Sequence, residues 1–88
     1  MIEEELKVVN RAGVHTRPAA SIVKLAAKFK SEVSLVRDGF AINAKSIIGV
    51  MTLAAEKGSK LRLTFEGDDE KEACDAIIDF FERGFDEL

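Results

Sequence analysis

Two hydrophobic periodicities alternate along this chain, and their order constrains the fold more than any other feature. Leu61, Leu63 and Phe65 are separated by polar residues, a two-residue period that predicts a half-buried strand. Between residues 18 and 29 the spacing is helical instead, with apolar side chains at Ala19, Ile22, Leu25, Ala26 and Phe29. Because the chain has 88 residues, these segments must share one modest core, and we expect a single domain over residues 1–88.

The other strands are predicted by the same alternation and by the residues that interrupt it. Residues 4–9 alternate as a first strand, and residues 33–37 and 40–43 as a second and a third. Asp38-Gly39 joins the last two, and both residues tolerate the positive φ of a tight hairpin turn.

The helix ends have their own signals. Pro18 suits the first turn of the first helix, with Thr16 or a neighbour as its cap. Ser46 is the expected N-cap of a short helix from residue 47 to about residue 55. Asp68 or Asp69 is the expected cap of a last helix, and on or beside its buried stripe lie Ala73, Cys74, Ile77, Phe80 and Phe81.

The resulting order, β-α-β-β-α-β-α, predicts an α+β fold. Four strands and three helices of this length pack as an open-faced sandwich, with the helices on one face of the sheet. The polar residues of each strand then lie on the other face, toward water.

Composition excludes several classes of function. The net charge is −3 and Trp and Tyr are absent, so neither a basic face nor a stacking platform for nucleic acid is expected. One Cys and one His provide no disulfide and no zinc ligand set, so we expect no metal and no cofactor. The chain has an acidic start and no apolar run of roughly 20 residues, which predicts no signal peptide, no membrane insertion and a cytoplasmic protein.

The residues with the clearest chemistry are His15 and Arg17, in a loop directly before a predicted helix. The first amides of a helix lack internal acceptors and the helix dipole is positive there, so a phosphate near His15 would find donors. Neutral imidazole is a usable nucleophile near pH 7, and a guanidinium matches phosphate oxygens. From these two residues alone, a histidine that caps the helix or has no role remains an alternative.

A family resemblance favours the chemical interpretation. Residues 12–20, Ala-Gly-Val-His-Thr-Arg-Pro-Ala-Ala, resemble the active-site signature of HPr, the histidine-containing phosphocarrier of the bacterial phosphotransferase system. Residues 44–51 resemble the second signature of that family, and residues 66–70 resemble the turn before its last helix. The resemblance covers essentially the whole chain and implies an antiparallel sheet.

The resemblance also implies a function and its partners. His15 would accept a phosphoryl group from enzyme I through Nδ1 and pass it to an EIIA domain, without being an enzyme itself. Arg17 would hold the phosphate, assisted by the backbone amides of Thr16 and Arg17. Partner exchange favours a monomer.

Ser46 carries a second implication. In many members of the family this serine is phosphorylated by a dedicated kinase, and the phosphorylated form can bind a transcription regulator. Added negative charge at a helix N-terminus is tolerated physically. A purely regulatory module that acts through Ser46 without phosphoryl transfer is therefore the alternative, although relatives of that kind lack the histidine.

A docking surface is expected around the short second helix. So few residues cannot bury every apolar side chain, and the resemblance implies that the exposed ones contact partners. With basic residues at Arg17, Lys24 and Lys45, the patch would suit acidic partners. The predicted docking residues are Ala20, Lys24, Ile47, Ile48 and Met51.

Three positions depart from the commonest family pattern. Thr16 replaces a frequent Ala, and Ile48 stands where Met or Phe is common. Ala54 stands where Gly is common, which leaves the end of the second helix open.

Overall fold

The sheet is built around its long central strand, β4. The computed structural model describes residues 1–87, with β1 at Ile2–Lys7, α1 at Thr16–Ala26, β2 at Glu32–Arg37, β3 at Phe40–Asn43, α2 at Ile47–Thr52, β4 at Lys60–Glu66 and α3 at Glu70–Glu82. A 3-10 turn, Gly84–Asp86, follows α3. The strand order is β1-β4-β2-β3 and every pairing is antiparallel. This confirms the predicted open-faced sandwich of four strands and three helices.

The core lies between the sheet and the helices. Leu61, Leu63 and Phe65 of β4 are at most 1% exposed, and the residues between them are exposed or half-buried. Helix α1 contributes Ala19 and Ile22 to the same core, and α3 contributes its buried stripe. Burying one such large side chain contributes about 1.5–3 kcal/mol to the free energy of folding. The sheet and the helices therefore stabilise each other, because each buries the apolar face of the other.

Helix α1 begins at Thr16, so Pro18 lies in its first turn as predicted, but the helix ends at Ala26, three residues before the last apolar residue of the predicted spacing. The N-cap residue is His15, the neighbour of Thr16, and its side chain makes no capping hydrogen bond. Beyond Ala26 the chain tightens, since the amide of Phe29 donates to the carbonyl of Ala26, three residues back. The turn keeps Phe29 packed against the core.

Helix α2 ends at Thr52, three residues short of the prediction. Its end is set by Ala54, which adopts a φ of 51°, in the left-handed region that glycine favours. The Arg37 guanidinium donates hydrogen bonds of 2.7 and 2.8 Å to the carbonyls of Leu53 and Ala54. These bonds satisfy carbonyls that a helix end leaves free.

The hairpin turn and the N-cap of α2 form as the sequence predicts, and the N-cap of α3 forms differently. Asp38 and Gly39 have φ of 51° and 81°, which confirms the hairpin turn. The Ser46 hydroxyl accepts a 3.1 Å hydrogen bond from the Gly49 amide, which confirms the N-cap. Asp69 is the N-cap residue of α3, but its carboxylate accepts hydrogen bonds from the amides of Lys30 and Ser31 instead of capping the helix.

Cys74 is a buried thiol on α3. It is 7% exposed, as predicted for a small apolar residue, and burial raises its pKa. Within residues 1–87, no helix has the length and hydropathy needed to cross a membrane. The same residues contain no group of three or more His, Cys, Asp or Glu side chains placed to bind a metal ion.

Candidate functional site

The loop before α1 is fixed against the segment that precedes β4. The Val14 amide donates a 2.8 Å hydrogen bond to the carbonyl of Ala55. Gly13 has a φ of 73°, and a Cβ at this position would lie 2.4 Å from the same carbonyl oxygen. Only glycine therefore fits beside Ala55, and the close approach determines where His15 enters the helix.

His15 lies at the electropositive end of α1. Its carbonyl accepts a 2.9 Å hydrogen bond from the Ala19 amide, the first that turns back into the helix. The preceding amides, those of Thr16 and Arg17, have no acceptor inside the helix, and Pro18 has no N–H. The His15 side chain is 41% exposed, so the ring faces solvent instead of the core. The imidazole and free helix amides are thus at one place on the surface.

Two residues that the sequence did not single out complete the surroundings of the ring. The Glu87 carboxylate lies 3.1 and 3.3 Å from Nε2 of His15. Asn10 is fully buried, and its side-chain amide donates to Glu87 at 2.8 Å and to the Gly13 carbonyl at 2.9 Å. The hydrogen bond from Asn10 is the main reason that the pKa of Glu87 is lowered, with the bond to His15 adding to it against desolvation.

The sequence around Asn10 gives a weak indication that this residue fixes a loop, whereas nothing around Glu87 indicates a role in the site. Asn commonly hydrogen-bonds its own backbone in turns, and Asn10 begins the loop that Gly13 ends. Glu87 is one acidic residue among many near the end of the chain, and nothing in its neighbours distinguishes it.

Arg17 lies on the same side of the molecule as this carboxylate. It is exposed and lines a depression of about 460 Å³ together with Pro18, Ser21, Phe80, Phe85, Asp86 and Glu87. Its positive charge contributes to the lowered pKa of Glu87, yet it forms no ion pair with any residue from 1 to 87. The guanidinium is therefore available to an incoming anion.

The surface of α2 carries the exposed apolar residues that were expected there. Ile47, Ile48 and Met51 are 38%, 74% and 44% exposed, and α2 packs against α1. On α1, Lys24 is exposed and Ala20 is half-buried. Lys45 is half-buried, and its ammonium donates a 2.8 Å hydrogen bond to the Phe29 carbonyl, which orients its positive charge.

An exposed imidazole lies beside helix amides and a guanidinium that has no ion-pair partner among residues 1–87, and this combination is typical of proteins that bind a small anionic group at their surface. The family model described as "PTS HPr component phosphorylation site" matches residues 2–83 of this chain. The chain therefore belongs to the HPr family of the phosphotransferase system, a family of phosphocarrier proteins and HPr-like relatives rather than of catalysts.

Individual relatives agree over nearly the full length. The chain is 52% identical to "Phosphocarrier protein HPr" of Treponema pallidum (strain Nichols), covering 99% of both chains. It is 45% identical to "HPr-like protein Crh" of Halalkalibacterium halodurans, covering 94% of this chain and 99% of that one. The crystal structure of HPr-C-His from Thermoanaerobacter tengcongensis superposes with a TM-score of 0.96 at 42% identity, covering 100% of this chain and 99% of that one.

Proposed function

We propose that this chain accepts a phosphoryl group from phospho-enzyme I on Nδ1 of His15 and donates it to EIIA domains. The single observation that carries the proposal is the position of His15, exposed at the N-cap of α1 in a chain of the HPr family. Residues 1–88 act as one domain in this proposal, monomeric, without a cofactor and located in the cytoplasm with enzyme I.

Phosphoryl transfer would use the imidazole of His15, the first amides of α1 and the Arg17 guanidinium. The lone pair of Nδ1 attacks phosphorus while the bond between phosphorus and the donor breaks, and the reverse exchange delivers the group to the next protein. The negative oxygens meet the Thr16 and Arg17 amides and the Arg17 guanidinium, which stabilise charge in the transferring group. Since His15 is exposed, a partner can bring its own phosphoryl group or acceptor directly to the ring.

Docking of enzyme I and EIIA is proposed on the exposed face of α2 and the neighbouring face of α1. Ile48, at 74% exposed, is the most prominent apolar side chain of this face, and Ile47 and Met51 extend it. Lys24 and Arg17 supply positive charge that would complement acidic partners. The contact residues in this proposal are Ala20, Lys24, Ile47, Ile48 and Met51.

We also propose regulation through phosphorylation of Ser46 by HPr kinase/phosphorylase, with a transcription regulator as the partner of the phosphorylated form. The residue is exposed, so a kinase can reach its hydroxyl. Incubation with an active kinase and labelled ATP should label the wild type and leave Ser46→Ala unlabelled. A wild type that stays unlabelled would remove this part of the proposal.

A regulatory module without phosphoryl transfer is the alternative, and the likeness to the HPr-like protein Crh is what favours it. The two functions differ at His15, because only the carrier requires a nucleophile there. The presence of an exposed imidazole at this position supports the carrier.

The test is incubation with enzyme I and labelled phosphoenolpyruvate. We expect acid-labile label on the wild type, mapped to His15, and none on His15→Ala. Circular dichroism of His15→Ala should match the wild type, because the ring is exposed and makes no capping bond. Full labelling of folded His15→Ala would refute the assignment.

A further inference from the structure

The Glu87 carboxylate contacts the ring of His15 on the side opposite to the proposed nucleophile. Its oxygens lie 3.1 and 3.3 Å from Nε2. An ionised carboxylate can only accept hydrogen bonds, so the contact requires a proton on Nε2. In the neutral ring, Nδ1 is then the nitrogen with a free lone pair.

The carboxylate is itself held in place. Asn10 is fully buried and donates to Glu87 at 2.8 Å, while the same amide nitrogen donates to the Gly13 carbonyl at 2.9 Å. A buried, doubly bonded amide has little freedom to move, and it ties the C-terminal residues to the loop that carries His15. The hydrogen bond from Asn10 also lowers the pKa of Glu87, because it favours the ionised carboxylate, the form that accepts hydrogen bonds.

The three residues before Glu87 have left-handed backbone conformations. Gly84, Phe85 and Asp86 all have positive φ, of 61°, 58° and 62°. The Phe85 ring is fixed by edge-on contacts with Phe80 and Phe81, at centroid distances of 5.2 and 5.0 Å. Two consecutive non-glycine residues in the left-handed region are strained and persist only where the surroundings enforce them. The strained turn directs the following residue, Glu87, toward His15.

We propose that Glu87, held by Asn10, is a positioning residue for phosphoryl transfer through His15. It keeps the ring proton on Nε2 and stabilises the positive charge that develops when Nδ1 bonds to phosphorus. The Nδ1–P bond forms as the donor's bond to phosphorus breaks, and the Nε2 proton stays on the ring throughout. In the onward transfer the Nδ1–P bond breaks and the ring leaves as neutral imidazole. This inference rests on the proposed function.

The first test needs no partner protein. Nitrogen-15 NMR of unphosphorylated, neutral His15 distinguishes a protonated from an unprotonated ring nitrogen. We expect wild-type shifts of a ring protonated at Nε2, and shifts moved toward a mixture of both tautomers in Glu87→Ala. Glu82→Ala, which removes an exposed carboxylate from α3, should leave the ring unchanged. Identical ring shifts in wild type and Glu87→Ala would overturn the inference.

The second test measures the rate of phosphoryl transfer from phospho-enzyme I. Because His15 is 41% exposed, the contribution should be that of an exposed ion pair, and we expect Glu87→Ala to transfer about fivefold more slowly than wild type and Glu82→Ala. Equal rates would refute the positioning role. A wild type that accepts no phosphoryl group would refute the proposed function instead, and the NMR comparison would still decide how Glu87 acts on the ring.

Discussion

The amide of Val14 donates a 2.8 Å hydrogen bond to the carbonyl of Ala55, one residue before the histidine of the site. This bond brings the loop before α1 onto the chain that enters β4, so closely that the residue before Val14 must be glycine. The position of His15 therefore depends on a contact between two segments that α1, β2, β3 and α2 separate along the chain.

Gly13→Ala should be strongly destabilising. The new Cβ would lie 2.4 Å from the Ala55 oxygen, and the φ of 73° is costly for any residue with a side chain. We expect a loss of about 2–4 kcal/mol in the free energy of unfolding, measured by urea denaturation. Gly39→Ala is the matched control, because Gly39 has a φ of 81° and a Cβ added there would have no atom within 4 Å. It should lose only about 1 kcal/mol; equal losses in both variants would show that the contact with Ala55 is unimportant.

Ala54→Gly should increase stability. Ala54 has a φ of 51°, and the left-handed region costs an alanine about 1–2 kcal/mol. Glycine relieves this strain but gains entropy in the unfolded chain, so the net increase expected is about 0.5–1 kcal/mol. Ala27→Gly, at a right-handed φ of −65°, should instead lower the free energy of unfolding. A destabilised Ala54→Gly variant would contradict the interpretation of this helix end.

Arg17→Ala should retain the fold and lose transfer rate. Its guanidinium is exposed and pairs with no carboxylate of residues 1–87, so its removal breaks no ion pair there. A charge-assisted hydrogen bond to phosphate contributes about 1.5–3 kcal/mol, which predicts a rate about 10- to 100-fold lower for phosphorylation by enzyme I. Arg11→Ala removes an equal charge from an exposed loop position and should have a much smaller effect. If both variants transfer alike, Arg17 acts only through net charge.

Asp69→Asn should remove part of the acid sensitivity of folding. Hydrogen bonds from Ser31 and the Lys30 amide lower the pKa of Asp69 from 3.8 to about 2. Because the folded-state pKa is the lower one, its stabilisation is present above pH 3.8 and is lost as the pH falls toward 2. The difference in melting temperature between wild type and Asp69→Asn should therefore shrink over this range. Asp68→Asn, at the exposed neighbouring position, should show no such convergence.

The fold was largely predictable because its strands and helices have clear local patterns. The alternation of Leu61, Leu63 and Phe65 identified the central strand, and the Asp38-Gly39 pair identified the hairpin. Element ends were less predictable, because they depend on contacts from elsewhere in the chain. The end of α2, for example, is capped by Arg37, 16 residues before Leu53.

The candidate site was predictable only in the part that is local in sequence. His15, Arg17 and the start of α1 lie within a few residues, and the structure brings an exposed ring and free helix amides together there. Glu87 reaches the site through folding alone, since its bond to Asn10 joins residues 77 positions apart. A long-range contact between one Asn and one Glu has no periodicity or spacing from which it could be inferred.

Because Cys74 is buried, the reaction of its thiol with an alkylating reagent can be used to measure local unfolding of the native protein. The thiol lies on the buried face of α3 and is only 7% exposed, so a reagent in solution reaches it mainly when that helix separates from the sheet. The chain has a single cysteine, so every alkylated molecule reports the same event, the separation of α3 from the sheet. The rate of alkylation would therefore measure how frequently α3 detaches, without an engineered probe.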